Sequence, residues 1–233
     1  GMNDAMTAEL ADAAARCDTA GTKVVVLTGA GRFFCAGGDL KAIAASPLGP
    51  GQFVRGIADD LHVAISRLAR MDAVLITAVN GTAAGAGFSL AIAGDLVVAS
   101  SSASFTMAYT RAGLSPDGSA SYYLPRIVGI RRAHDLILTN RKLTAAEAEQ
   151  WGLVNYVVDD VEFTGRVDAL AAQIAGGAKG SNAAVKKLLL TSLDNSIEDQ
   201  MERESEFISA NADGADGREG IDAFLNKRAP KFA

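Results

Sequence analysis

The sequence of 233 residues is poor in the side chains that build metal centres, disulfide frameworks and ring-packed cores. It contains two cysteines, two histidines, five prolines and 14 aromatic residues. Cys17 and Cys35 match neither a CxxC nor a zinc-binding spacing, so we expect two free thiols in a reducing compartment. His62 and His134 form no HxxxH pair. We therefore expect no metal site.

Excess positive charge and a long apolar run are also missing. Lys and Arg number 22 against 27 Asp and Glu, a net charge of −5 that argues against a nucleic-acid-binding surface. The most apolar stretch, residues 73–99, is interrupted by Asn80, Asp95 and four glycines, so we expect no membrane span. No basic segment followed by an apolar run opens the chain. We expect a cytoplasmic protein.

Small residues are abundant instead. The 44 alanines and 24 glycines make up about 29% of the chain, well above ordinary usage, which indicates helices and strands that pack closely. Apolar runs at 24–28, 74–79 and 95–99 alternate with helical periodicity, most clearly over 52–70. This order predicts an α/β fold with parallel strands. One more short strand is predicted at 154–158.

The remaining pattern is mostly helical. We predict a first helix over 7–20 with Thr7 at its cap, and a helical pattern from Gly118 onward. The last predicted helices cover residues 160–176, 181–193, 196–210 and 216–226. We accordingly divide the chain into an α/β core, residues 1–176, and a helical C-terminal region, residues 177–233, that mediates oligomer contacts.

The glycine-rich segments do not fit the common nucleotide-binding or hydrolase motifs. A dinucleotide-binding fingerprint would need glycine where Phe34 and Leu90 stand, and no Gly-Lys-Ser/Thr is present. A nucleophile elbow over 87–91 would end in glycine, but Ala91 occupies that place. With only two histidines in the chain, a Ser/His/Asp hydrolase is not favoured.

Two glycine-rich segments do share one design. The strand at 24–28 leads to Gly-Gly-Asp at 37–39, and the strand at 74–79 leads to Gly-Ala-Gly at 85–87. Each segment combines small residues with a helix start, which leaves backbone N–H groups open to a ligand. Two such donors converging on one oxygen make an oxyanion hole. Alternatively, these glycines serve only close strand–helix packing.

Both segments resemble known signatures. Residues 32–40 (RFFCAGGDL) are similar to the first signature of the crotonase superfamily, the enoyl-CoA hydratases and isomerases, and residues 78–87 (AVNGTAAGAG) to the second. The resemblance continues through 105–126, 143–158 and 219–228. It implies a crotonase-like fold of stacked strand–helix–strand units, an acyl-CoA thioester as substrate, no cofactor beyond the coenzyme A of that substrate, and a homotrimer or hexamer.

The resemblance also implies residue roles. Gly38 and Ala86 would donate the two N–H groups to the thioester oxygen. Many relatives have glycine where Ala86 stands, but only the backbone N–H is needed there. The residues expected to bind the substrate are Ala36, Gly37, Asp39, Leu40, Gly85, Phe88, Ser89, Tyr109 and Leu114.

The acid–base groups depart from the hydratase pattern. The family's hydratases use two glutamates, whose positions match Ser89 and Tyr109, so we expect both residues to line the pocket only. Asp117, between Pro116 and Gly118, resembles the acid of isomerase-type members, which moves a proton between carbons of a 3-enoyl-CoA. Its apolar-to-neutral surroundings favour proton exchange near neutrality. The alternative is that Asp117 caps a helix starting at Gly118.

We therefore predict an enoyl-CoA isomerase of the Δ3,Δ2 type, acting in fatty acid metabolism, that stabilises a thioester enolate and shifts a double bond. Hydration, ring-opening isomerisation, thioester hydrolysis, or acyl-CoA binding without turnover remain alternatives. Family members also begin with a strand–turn–strand that has no counterpart before Asn3. We expect its absence to expose an edge strand and to weaken the ligand site.

Overall fold

The computed structural model describes residues 1–19 and 21–233 and contains two four-stranded sheets with helices packed around them. The strands are β1 Val24–Thr28, β2 Phe33–Cys35, β3 Val74–Val79, β4 Thr82–Ala84, β5 Leu96–Ser100, β6 Ser104–Thr106, β7 Leu143–Thr144 and β8 Tyr156–Val158. The helices are α1 Asp4–Thr19, α2 Leu40–Ala45, α3 Pro50–Arg70, α4 Ala86–Ala91, α5 Ala120–Val128, α6 Ile130–Thr139, α7 Ala145–Gln150, α8 Phe163–Ala175, α9 Lys179–Thr191, α10 Ile197–Asp213 and α11 Ala215–Leu225, with a short 3-10 turn at Thr110–Ala112.

The first sheet confirms the predicted parallel α/β architecture. Its strand order is β1-β3-β5-β8, and every neighbouring pair is parallel. All six residues of β3 are buried, because helices cover both faces of a central parallel strand. This burial explains why the strand appears in the sequence as an uninterrupted apolar run.

The second sheet was only partly anticipated. Its order is β2-β4-β6-β7, with β2, β4 and β6 parallel and β7 antiparallel to β6. The sequence predicts no strand over 33–35 or 82–84, so β2 and β4 were not anticipated. Strands of three residues are too short to show the alternation that identifies a strand.

The start of α1 differs from the prediction. The helix begins at Asp4, and the Oδ1 of Asn3 accepts a hydrogen bond from the backbone N of Met6 at 3.0 Å. Thr7 lies inside the helix, where its hydroxyl donates to the carbonyl of Asn3. Thr7 as cap was therefore wrong. Ala20, the predicted last residue of this helix, lies outside the described residues.

The C-terminal helices attach to the core through a buried lysine of α9. The Nζ of Lys186 donates to the carbonyls of Leu68 at 2.6 Å and Ala73 at 2.9 Å, and lies 2.8 Å from Oδ2 of Asp95. Burial raises the pKa of Asp95, although the neighbouring lysine opposes the shift. All three protons of the ammonium group thus have acceptors, which is what a buried cation requires.

Strand β1 lies at one edge of the first sheet. Among the described residues it pairs with β3 alone, and its Val26 is 40% exposed. In the same described residues, no helix combines the length and the apolar character needed to cross a bilayer.

Candidate active site

A cavity of about 540 Å³ opens between α3, the two glycine-rich loops and the segment that precedes α5. Most of the residues that the sequence assigned to the site line this cavity. They are Ala36, Gly37, Gly38, Leu40, Gly85, Ala86, Tyr109, Leu114 and Asp117. The structure therefore brings together residues that lie up to 81 positions apart in the chain, from Ala36 to Asp117.

The first loop holds Gly38 between two backbone hydrogen bonds. The N–H of Met2 donates to the carbonyl of Gly37 at 2.7 Å, and the N–H of Asp39 donates to the carbonyl of Met2 at 2.8 Å. Gly37 has φ +86°, and a Cβ there would lie 2.8 Å from the carbonyl oxygen of Ala84. Among the described residues the N–H of Gly38 has no acceptor, so it remains available to a ligand in the cavity.

Asp39 has a role that the sequence did not predict. Its Oδ1 accepts hydrogen bonds from the backbone N of Lys41 at 3.0 Å and of Ala42 at 3.1 Å, so it caps α2. These bonds, that of Ala42 first, lower the pKa of Asp39. Asp39 is not among the residues that line the cavity. The structure thus gives its carboxylate a role in capping, and its assignment to substrate binding stays a prediction.

The second loop presents the N–H of Ala86. Gly85 has φ 54°, and its own N–H donates to the carbonyl of Thr106 at 3.1 Å. In the described part of the chain the N–H of Ala86 has no acceptor. A Cβ on Gly85 would lie 3.7 Å from the Cα of Gly37, so the two loops are in contact beside the cavity.

Gly87, the next residue, serves packing instead. A Cβ at this position would lie 2.2 Å from the carbonyl oxygen of Cys35 in β2. The packing interpretation therefore holds for Gly87, whereas the oxyanion-hole interpretation of Ala86 stays a prediction. Gly87 lets α4 approach β2, whereas the peptide before Ala86 presents a free donor.

Asp117 contacts His62 at the wall of the cavity. The Oδ1 of Asp117 lies 2.6 Å from the Nε2 of His62 on α3, and the two side chains are 35% and 50% exposed, respectively. The surroundings are therefore more polar and more open than the sequence indicated. Asp117 does not cap a helix with its side chain, since α5 begins at Ala120 with Ser119 at its N-cap.

Two buried hydroxyls lie behind Asp117. The Oγ of Ser89 is 2.7 Å and the OH of Tyr109 is 3.1 Å from the backbone carbonyl oxygen of Asp117, and the two hydroxyl oxygens are 2.9 Å apart. Tyr109 also lines the cavity, as expected. Ser89 does not line it, because its side chain is fully buried behind the cavity wall.

Phe88 was placed incorrectly by the sequence. Its side chain is fully buried in the main core, and its ring centroid lies 5.8 Å from that of Phe105. It is not among the cavity-lining residues. The position next to the oxyanion loop suggested a pocket wall, but α4 directs this side chain inward.

His62 is the functional candidate that the sequence interpretation missed. The sequence analysis considers it as a metal ligand and as a member of a Ser/His/Asp triad, whereas it lies on the same face of α3 as Val54 and Ala58, both of which line the cavity. The spacing of four residues was a usable signal. What the sequence does not show is that Asp117, 55 residues later, comes to lie against this face.

A cavity lined by Gly38 and Ala86, whose peptide N–H groups have no acceptor among the described residues, and by the carboxylate of Asp117 suits an enzyme that stabilises a carbonyl as it becomes an enolate. The whole chain, residues 1–233, matches the family model described as enoyl-CoA hydratase/isomerase. The chain belongs to this family, within the crotonase superfamily, and is an acyl-CoA enzyme.

Relatives of this chain carry names for different reactions. It is 38% identical to 1,2-epoxyphenylacetyl-CoA isomerase of Escherichia coli (strain K12), over 99% of this chain and 89% of that protein. It is 39% identical to a probable enoyl-CoA hydratase of Rhodobacter capsulatus, over 99% and 88%. The crystal structure of an enoyl-CoA hydratase from Polaromonas sp. JS666 superposes with a TM-score of 0.94 at 33% identity, covering 100% of this chain and 91% of that one.

Proposed function

We propose that this chain isomerises an enoyl-CoA by moving one proton with Asp117. The observation that carries the proposal is the composition of the cavity. Gly38 and Ala86, whose N–H groups have no acceptor among the described residues, line one space with Asp117, while Ser89 and Tyr109 stand at the positions that the resemblance assigns to the hydratase glutamates. The other carboxylate that lines it, Asp59, is paired with Arg55.

The reaction follows from these groups. The carboxylate of Asp117 takes a proton from C2 of a 3-enoyl-CoA, and the electron pair spreads through a dienolate whose negative charge falls on the thioester oxygen. The N–H groups of Gly38 and Ala86 stabilise that oxygen. The protonated Asp117 then returns the proton at C4, which leaves the double bond between C2 and C3. The step is redox-neutral and needs no cofactor besides the coenzyme A of the substrate.

His62 supports the same chemistry. Its Nε2 is within hydrogen-bond distance of Oδ1 of Asp117, so an N–H there can hold the carboxylate in one orientation. A positioned base is what a shuttle between C2 and C4 on one face of the substrate requires. Hydration, in contrast, needs a group that activates water, and the two hydroxyls at the hydratase positions are bonded to the Asp117 carbonyl.

A second substrate class follows from the relatives. The match at 38% identity to 1,2-epoxyphenylacetyl-CoA isomerase supports an acyl-CoA whose acyl group carries a ring. The cavity volume of about 540 Å³ falls within the range of small-molecule sites. Both substrate classes should therefore be assayed.

The test compares wild type with Asp117→Asn and Asp117→Glu. A 3-enoyl-CoA, a 2-enoyl-CoA and 1,2-epoxyphenylacetyl-CoA are each incubated with enzyme, and the products are identified by mass spectrometry and NMR. We expect double-bond migration by the wild type, and a loss of about 100-fold or more in Asp117→Asn, in the range of general acid–base contributions. Water addition to the 2-enoyl-CoA, or unchanged turnover in Asp117→Asn, would contradict the proposal. Binding without any conversion would support the non-catalytic alternative.

We also propose that the C-terminal helices assemble the chain into trimers or pairs of trimers. The exposed apolar residues of this region include Leu189, Leu193, Ile197, Met201, Ile208 and Phe224, each more than half exposed. Such a set is typical of a surface that another subunit covers. Light scattering after gel filtration tests the assembly, and a monodisperse monomer would contradict it.

A further inference from the structure

The hydroxyl groups of Ser89 and Tyr109 both contact one backbone atom, the carbonyl oxygen of Asp117. Their hydroxyl oxygens lie 2.7 Å and 3.1 Å from the carbonyl oxygen of Asp117 and 2.9 Å from each other. The backbone N–H of Ala120 also reaches this oxygen, at 3.3 Å. A carbonyl oxygen has two lone pairs, so beside that contact it accepts from both hydroxyls, or from one while the other donates to its neighbour. In either arrangement, the main chain of the proposed base is held by a buried donor.

These hydrogen bonds are buried, and burial increases the effect of a hydrogen bond on the position of the groups it joins. Ser89 is fully buried and Tyr109 is 9% exposed. Burial raises the pKa of Tyr109 well above its ordinary value, so the phenol keeps its proton and can donate at neutral pH. A buried polar group without its partner is unfavourable, so these contacts strongly restrict the position of the Asp117 carbonyl.

Ser89 also connects Asp117 to the oxyanion loop. It lies on α4 three residues after Ala86, and its backbone N–H donates to the carbonyl of Gly85 at 3.1 Å. On the other side, a Cβ on Gly118 would lie only 3.1 Å from the Cβ of Ser89. The backbone that carries Asp117 therefore rests directly on the helix that carries one oxyanion donor.

From these contacts we infer that Ser89 and Tyr109 are positioning residues, which fix the distance between the Asp117 carboxylate and the N–H of Ala86 by holding the Asp117 main chain. This inference rests on the proposed function. His62 holds the carboxylate at the opposite end of the residue. The two positions that carry glutamates in hydratases would thus hold a base here instead of handling water.

The test measures exchange of the C2 protons of butyryl-CoA in D2O by proton NMR, alongside isomerisation of a 3-enoyl-CoA. In the exchange reaction the base removes a C2 proton, the enolate forms, and a deuteron from solvent is returned to C2. The exchange rate therefore measures how well the base and the oxyanion donors act together, without any double-bond migration. The variants are Ser89→Ala, Tyr109→Phe and the double variant, with the melting temperature and the Kd for butyryl-CoA measured for each.

We expect Ser89→Ala to slow both reactions by about 100-fold, the scale of a displacement of about 1 Å at a reacting group. The loss falls on kcat, while the Kd for butyryl-CoA stays near the wild-type value because neither hydroxyl is needed to bind it. Tyr109→Phe has a smaller effect because its contact is longer. The double variant is less impaired than the product of the two single losses, since both act on one carbonyl.

Thr77→Val is the matched control. Thr77 is fully buried in β3, and its hydroxyl donates to the carbonyl of Ala91 at 2.7 Å. Ala91 lies on α4, the helix that also carries Ser89, but Thr77 makes no hydrogen bond to Asp117. This variant loses stability and keeps the wild-type kcat for exchange. A loss in Ser89→Ala no larger than that in Thr77→Val would overturn the inference.

The remaining outcomes separate this inference from the proposed function. If the wild-type protein exchanges C2 protons but does not isomerise the 3-enoyl-CoA, the isomerase proposal is wrong. The exchange rates of the variants then still decide whether Ser89 and Tyr109 are positioning residues. Wild type that does neither overturns both. Wild-type exchange rates in folded Ser89→Ala and Tyr109→Phe overturn the positioning role alone.

Discussion

The loop around Gly38 and the loop around Ala86 offer the same chemical group, a free peptide N–H, but they are held in different ways. The first loop is fixed by hydrogen bonds to Met2 and by the Asp39 cap, and α2 after it has no buried residue. The second is fixed by packing, since residues 87–91 of α4 are all buried. The two loops therefore offer the same donor group, but we expect them to differ in how well they tolerate substitution.

The largest expected effect is that of Gly87→Ala on the packed loop. Its new Cβ would lie 2.2 Å from the carbonyl oxygen of Cys35, a backbone atom that a side-chain rotation cannot relieve. We expect a loss of about 3 kcal/mol or more in the free energy of unfolding, at or beyond the upper end of ordinary overpacking. Denaturant unfolding measures it.

Gly165→Ala is the control for this substitution. Gly165 lies in α8 with no atom within 4 Å of its ideal Cβ. Alanine there should raise the unfolding free energy by about 0.5–1 kcal/mol through helix propensity. If both alanine variants were equally stable, close packing would not explain Gly87.

The next effect is on activity, from Ala86→Pro. Proline removes the N–H while Ala86 occupies the first helical position, where proline is tolerated. We expect kcat/KM to fall by about 10²–10³-fold, as for the loss of one oxyanion donor. Ala86→Gly keeps the N–H and should stay near the wild-type value. Equal kcat/KM in the two variants would show that this N–H does not contact the substrate.

A smaller effect is expected from Asp39→Ala on the hydrogen-bonded loop. Backbone hydrogen bonds lower the pKa of Asp39 in the folded state, so its ionised form stabilises the fold above the unfolded pKa of about 3.9. That contribution is lost as the pH falls through the lower folded value. The difference in melting temperature between wild type and Asp39→Ala should therefore be largest at pH 7 and shrink below about pH 4. A constant difference would mean that the carboxylate charge is not involved.

The smallest effect is expected from Gly38→Ala. A Cβ at this position meets only Cδ1 of Ile43 at 3.6 Å, an ordinary contact, and the N–H is retained. We expect the melting temperature and kcat/KM to remain close to wild type. A loss as large as that of Gly87→Ala would remove the contrast between the two loops.

Much of this arrangement could be predicted from the sequence. The two Gly-rich segments follow buried strands, so their convergence follows from parallel pairing, and the structure brings Gly38 and Ala86 to one cavity. Family resemblance added Asp117, which lines the same cavity. These features depend on short sequence motifs and on the order of the strands, both of which can be read from the sequence.

Other features depend on side-chain direction and contacts between distant segments. The inward turn of Phe88 and the contact between His62 and Asp117 follow from how α4 and α3 are rotated in the packed fold. Likewise, the sequence shows a hydroxyl at Ser89 but not that it reaches the carbonyl of Asp117. Three-residue strands such as β2 and β4 give no periodic signal.

The most direct test of the central claim, that the two loops polarise one thioester oxygen, is isotope-edited infrared spectroscopy of bound butyryl-CoA labelled with 13C at the thioester carbonyl. Two N–H donors on the oxygen weaken the C=O bond, so we predict a lower stretching frequency bound to wild type than free in water. Ala86→Pro, which removes one donor, should give a smaller shift. An identical frequency for free and bound ligand would contradict the account.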